Sequence, residues 1–187
     1  MKTIKHSVFV ETEEKKSRFL AFLLPYSVLD SELDRLRREH PKANHHVSAF
    51  RAFDTEKRLH EGAKDDGEPS GSAGMPALKV LQGHELVNVG VIIVRYFGGI
   101  KLGTGGMARA YGGAVKAVIE AADLIDFSHL TSTTFCASFE RISQLERLLN
   151  DSLIAERRYT ETGIEIEITG PEDHVALLVQ EWESLNY

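Results

Sequence analysis

Residues Leu86–Gly113, LVNVGVIIVRYFGGIKLGTGGMARAYGG, decide how the chain is organised. Their first twelve are dominated by Val and Ile, which predicts a strand over 86–97 buried on both faces. A glycine-rich turn follows. Met107, Tyr111, Val115, Val118 and Ala122 then recur at helical spacing, so a helix is expected to start near Thr104–Met107 and face the sheet. Strand, glycine-rich turn, helix is a layout that aims free backbone N–H groups at an anion. Gly103, Gly105 and Gly106 allow a ligand close to the main chain. Arg95 near the strand end, Lys101 in the turn and Arg109 on the helix supply charge for phosphates, and Lys64 extends the same candidate patch. Gly112 and Gly113 inside the helix each cost about 1 kcal/mol relative to alanine. Close packing against the sheet is the expected reason for them.

Known phosphate motifs do not fit this turn. Gly98 and Gly103 have the separation of a Walker loop, but Thr104 stands where its lysine belongs. Gly103-Thr104-Gly105 lacks the third glycine of a dinucleotide fingerprint. A nucleotide triphosphatase or a Rossmann enzyme is therefore disfavoured.

Upstream, residues 4–10 and 17–24 read as strands about a turn at Glu13–Lys16. Ser27 and Asp30 have capping-box spacing and predict a helix start, with Leu29, Leu33 and Leu36 on its apolar face and His40-Pro41 at its end. Residues 45–53 form a third strand. Its alternation puts His45, Val47, Ala49, Arg51 and Phe53 on one side, with His46, Ser48 and Phe50 on the other. His45 and Arg51 thus share a face on which nucleic acid can stack or pair. Glu61–Pro76, EGAKDDGEPSGSAGMP, reads as a long polar loop before a short helix over 76–81. Asp65, Asp66 and Glu68 are the carboxylates a Mg²⁺ would take, but they match no ligand spacing, and turn shaping is the preferred reading. No metal or other cofactor is expected. Phe50, Phe53, Tyr96, Phe97 and the lone Cys136 read as core.

From residue 131 the order is strand (131–139), helix (141–150), two strands (153–159 and 163–169) and helix (173–185). This is the start of a split β-α-β unit whose closing strand is expected after Leu185. A charge step supports a separate domain there. Residues 1–127 hold 18 Lys+Arg against 17 Asp+Glu, and residues 128–187 hold 4 against 11. The expected domains are therefore 1–127 and 128–187. The overall charge of −6 excludes a globally basic nucleic-acid binder. One cysteine excludes a disulfide framework and points to a reducing, cytoplasmic compartment. No apolar stretch reaches the roughly 20 residues of a membrane span, so no membrane partner is expected.

Two motifs, DDGEPSGSAGMPAL (Asp65–Leu78) and VRYFGGIKLGTGGMARAYGGA (Val94–Ala114), resemble the signature of the YigZ/IMPACT family. The resemblance covers residues 5–122 and extends more loosely to the rest. It implies an α+β fold: an IMPACT-type N-terminal domain similar to domain IV of elongation factor G, then a ferredoxin-like C-terminal domain, here lacking its last strand. Eukaryotic relatives act in translational control, competing for a protein that activates an initiation-factor kinase. Their partner-binding domain has no counterpart in these residues, so that role is not carried over. The resemblance transfers no catalytic residue.

The expected function is thus non-enzymatic: an RNA- or ribosome-binding protein with a role in translation regulation. Its partners are RNA, the ribosome or a protein of translation control. A phosphate- or nucleotide-binding enzyme using the glycine-rich loop is one alternative, and a protein-interaction module is the other.

Overall fold

A computed structural model of the chain describes residues 1–149 and 153–185. The chain divides into two compact units, Met1–Phe127 and Ser128–Tyr187.

In the first unit the elements run β1 (Lys2–Ile4), β2 (Val8–Glu14), β3 (Ser17–Pro25), α1 (Leu29–Glu39), β4 (His45–Phe53), β5 (Leu59–Lys64), α2 (Gly74–Gly83), β6 (Val89–Tyr96), α3 (Gly103–Glu120) and β7 (Leu124–Asp126). Five strands form one antiparallel sheet in the order β2-β3-β6-β4-β5, and β1 pairs separately with β7. β6 lies at the centre, as its unbroken Val/Ile run requires. Alternation divides its side chains between two cores. Val89, Val91 and Ile93 pack with Phe19, Ala21, Leu23, Val47 and Ala49 under α2 and α3. Ile92 and Val94 pack with Leu20, Leu24, Leu29, Leu33 and Leu36 under α1.

Several expectations change in detail. The β2–β3 turn is only Lys15-Lys16. Both residues have left-handed φ, +47° and +63°, as the tight hairpin turn that matches strand twist demands. Residues 4–10 are split between β1 and β2. Ser27 does not cap α1: a 3₁₀ turn over Tyr26–Val28 precedes the helix, and Val28 is the residue before its first turn. Glu61–Lys64 belongs to β5 rather than to a loop. Gly112 and Gly113 are not pressed on the sheet. A Cβ on Gly113 would meet nothing within 4 Å, and one on Gly112 would make only an ordinary contact with Val80.

The second unit runs β8 (Leu130–Ser138), α4 (Ile142–Leu148), β9 (Ile154–Tyr159), β10 (Gly163–Pro171) and α5 (Glu172–Ser184). Its antiparallel sheet has the order β8-β10-β9. Ile164, Ile166 and Ile168 point to one face and pack with Phe135, Leu145 and Trp182. Cys136 is not core. It lies opposite Glu165 in the register and is exposed, because its parity is that of the uncovered face. Asn150, the expected end of the first helix of this unit, and the expected site of a closing strand after Leu185 lie outside the described residues.

Candidate nucleic-acid interface

The site begins with parity. Arg95 sits two residues beyond Ile93, so its side chain falls on the α3 side of the sheet rather than in solvent. His45 pairs opposite it on β4 and shares that face with Val47 and Ala49. A charge in this position needs a partner. Glu68 supplies it: its Oε1 accepts from the Arg95 guanidinium at 2.5 Å and from the Tyr111 hydroxyl at 2.7 Å. Arg95 also reaches Met107 Sδ and Ser17 Oγ, and its guanidinium lies over the rings of Phe19 and Phe97. Burial, then the neighbouring Glu68 carboxylate, pushes the Tyr111 hydroxyl far above its ordinary pKa, so it stays a donor.

The Asp65–Glu68 segment is held by its own carboxylates. Asp65 accepts from the backbone N–H groups of Gly71, Ala73 and Gly74 at 2.8, 3.1 and 2.8 Å, which caps α2 from nine residues upstream. Burial works against its charge. The amides of Gly71, Gly74 and Ala73 outweigh that and hold its carboxyl below the ordinary value. Asp66 Oδ2 accepts from the His46 N–H at 2.7 Å, and its carbonyl accepts from His45 Nδ1 at 2.8 Å. Three carboxylates thus serve three separate sets of protein donors. Among the described residues, no group of three or more His, Cys, Asp or Glu is placed to hold a metal.

Beyond β6 the chain makes one sharp passage into α3. A Cβ on Gly98 would lie 2.0 Å from the Lys16 carbonyl carbon, so only glycine lets the turn cross the hairpin here. The Gly98 N–H donates to Ser17 Oγ at 3.1 Å. Gly103, at φ +71°, opens the helix, whose first turn has no side-chain cap. Its leading amides are therefore free of side-chain acceptors.

The two glycine-rich segments meet. His45, Glu68, Phe97, Lys101, Gly103 and Thr104 are among the residues lining one pocket of about 450 Å³. Arg95 also borders it, but as the buried partner of Glu68 rather than as a free cation. Phe97 is not core: it is 46% exposed at this pocket. The other sequence candidates lie elsewhere. Arg109 borders a groove between α2 and α3, with Gly112, Gly113 and Lys116. Lys64 projects to the opposite face of the sheet, beside Leu33 and Ser48. Gly105 and Gly106 stand in the first turn of α3, and Arg109 folds back toward Gly105. Arg51 shares a sheet face with His45 but pairs with Glu61 and donates to the Leu86 carbonyl, at the other end of β4.

The buried Glu68–Arg95–Tyr111 group and the His45 tether were not anticipated as a unit. One signal for it was present: the alternation of β6 places a charged residue on the same side as Val91 and Ile93.

Residues 15–119 match the model of the Impact N-terminal domain. An IMPACT family member of Haemophilus influenzae is 43% identical over 119 residues, which span 62% of this chain and 58% of the relative. The IMPACT family member YigZ of Escherichia coli is 37% identical over 145 residues, 76% of this chain and 71% of the relative. A crystal structure of a hypothetical protein is similar over 98% of this chain and 91% of its own, with a TM-score of 0.67 and 30% identity. The chain is a member of the IMPACT family.

Proposed function

We propose that this chain is a non-enzymatic binding protein that grips RNA, free or within the ribosome, at the start of α3, and that this contact regulates translation in the cytoplasm. The observation that carries the reading is one pocket lined by Lys101, by Gly103 and Thr104 at an uncapped helix start, and by the half-exposed ring of Phe97. Cation and amides suit a phosphate, and an aromatic face suits an unstacked base. Glu68 does not repel a polyanion as a bare carboxylate would, because Arg95 neutralises it. In this reading the first unit is similar to domain IV of elongation factor G. The β8-α4-β9-β10-α5 unit, with strand order β8-β10-β9, is the beginning of a ferredoxin-like fold. Its −7 charge keeps that unit from competing for the RNA. A protein of translation control is then a further partner rather than a substitute for RNA.

The test is binding of a labelled single-stranded RNA across a salt series. Affinity is expected to fall steeply with salt, and Lys101→Ala to weaken binding and flatten the log–log slope by about 0.7, one phosphate contact on a single strand. Binding unchanged by Lys101→Ala, or absent for RNA and ribosomes at low salt, overturns the reading.

A further inference from the structure

The tip of the β2–β3 hairpin is filled against the preference of its own backbone. Lys15 and Lys16 make up the whole turn, and both have left-handed φ, +47° and +63°. A two-residue turn of this kind favours Asn-Gly, because most residues with a Cβ are strained in the left-handed region. Nothing in the fold offsets that strain: both side chains are exposed, and neither ammonium makes an ion pair among the described residues. The tip is also fixed beside the pocket. Gly98 follows Phe97 of the pocket wall and crosses the Lys16 main chain so closely that a Cβ there would overlap the Lys16 carbonyl. Its N–H donates to Ser17 Oγ. The turn bearing Phe97 and Lys101 is therefore packed on the turn bearing Lys15 and Lys16, at the end of the sheet where Arg18 pairs opposite Tyr96. Lys101 is exposed and likewise makes no ion pair among the described residues. Of the carboxylates on β2, Glu11 is paired with Arg18 and Glu13 lies opposite Arg18 in the register. Glu14, which precedes the turn, lies opposite Ser17.

We propose that a single-stranded RNA seated in the pocket runs on across the hairpin tip, where the Lys15 and Lys16 ammonium groups take two further backbone phosphates. The inference rests on the RNA-binding reading above and adds the path by which the strand leaves the pocket. Lysine suits the task. It meets a phosphate as a point charge on a flexible stem and reads no base, so the contact carries affinity without sequence preference. A left-handed turn that holds lysines in place of Asn-Gly gives up fold stability for charge at a fixed place, which is where retained backbone strain points to function.

The test compares variants of the full chain against labelled oligouridylate and oligoadenylate of about ten nucleotides across a salt series. Lys15→Asn with Lys16→Gly installs the residues this turn prefers. It is expected to raise the midpoint of denaturant unfolding, to weaken both RNAs alike, and to flatten the log–log salt slope by about 1.4, two phosphate contacts on a single strand. Opposite movements of stability and affinity are what a purely structural role would not produce. Lys15→Arg with Lys16→Arg keeps both charges and is expected to keep the parent's affinity and slope. Glu14→Gln removes the negative charge before the turn and should tighten binding. An Asn-Gly variant that binds both RNAs with the parent's affinity and slope overturns the inference. If Lys101→Ala still weakens binding in that case, the RNA-binding reading stands without it. Loss on changing Lys15 and Lys16 but not on Lys101→Ala does the reverse: it overturns the pocket reading and leaves the hairpin tip as the contact.

Discussion

The Tyr111 hydroxyl donates to the same Glu68 oxygen that the Arg95 guanidinium engages, so α3, β6 and the Asp65–Glu68 segment are joined at one buried atom. Tyr111 is wholly buried and Arg95 nearly so. Arg95→Met leaves the Glu68 charge buried without its counter-ion, and a loss of about 3–5 kcal/mol is expected in denaturant unfolding. Tyr111→Phe removes one hydrogen bond to a charged group and should cost about 1.5–3 kcal/mol. The double change Arg95→Met with Glu68→Leu should be milder than Arg95→Met alone, since no buried charge is left. A double variant as unstable as the sum of its singles would contradict this account.

Asp65 is a second joint. Asp65→Ala should destabilise the first unit by about 1–2 kcal/mol through loss of the α2 cap. The pH dependence has a definite sign. The carboxyl is held below its ordinary value in the folded chain, so its contribution is present above about pH 4 and is lost as pH falls further. Stability curves for the parent and for Asp65→Asn should converge in that acid range.

The glycines separate by what surrounds them. Gly98→Ala forces a side chain into the Lys16 backbone, and a loss of at least about 1–3 kcal/mol is expected. Gly113→Ala meets open space on an exposed helix face and should stabilise by about 1 kcal/mol. Thermal melts of the two variants should therefore shift in opposite directions.

His46 makes the stability of the first unit depend on pH. Burial pushes its imidazole below the ordinary value, against the Leu36 carbonyl and Asp66, which favour the charged form; Arg37 and His40 add to the lowering. A depressed histidine contributes stability that is present above about pH 6.5 and lost as pH falls below it. His46→Leu should flatten the stability curve below about pH 6.5. An unchanged slope would show that another group sets it.

How much was legible follows from how local each cause is. β4, β6 and α3 are long and periodic, so the residue pattern reveals both the elements and the faces they bury, down to His45, Val47 and Ala49 on one side. β5 reads LHEGAK, an edge strand with no buried residue, and carries no apolar alternation to betray it. β1 and β7 have three residues each and exist only through one another. The Ser27–Asp30 spacing misled because the 3₁₀ turn after Pro25 moves the cap from Ser27 to Val28 and the helix start by one residue. At the site, the glycine turn and Lys101 were visible as a local motif. The joining of Glu68 to Arg95 and Tyr111, 27 and 43 residues away, is a product of sheet register and helix packing. Arg109 and Lys64 have suitable charge, but helix phase and strand parity direct them to other surfaces.

The most direct measurement of the central claim is a ¹H–¹⁵N titration of the intact chain with a short single-stranded RNA. The account expects the amide resonances of Gly103–Gly106 and the Lys101 region to move first and farthest, with the groove near Gly113 unaffected. Movement elsewhere with these amides unchanged, or no movement at all, would contradict it.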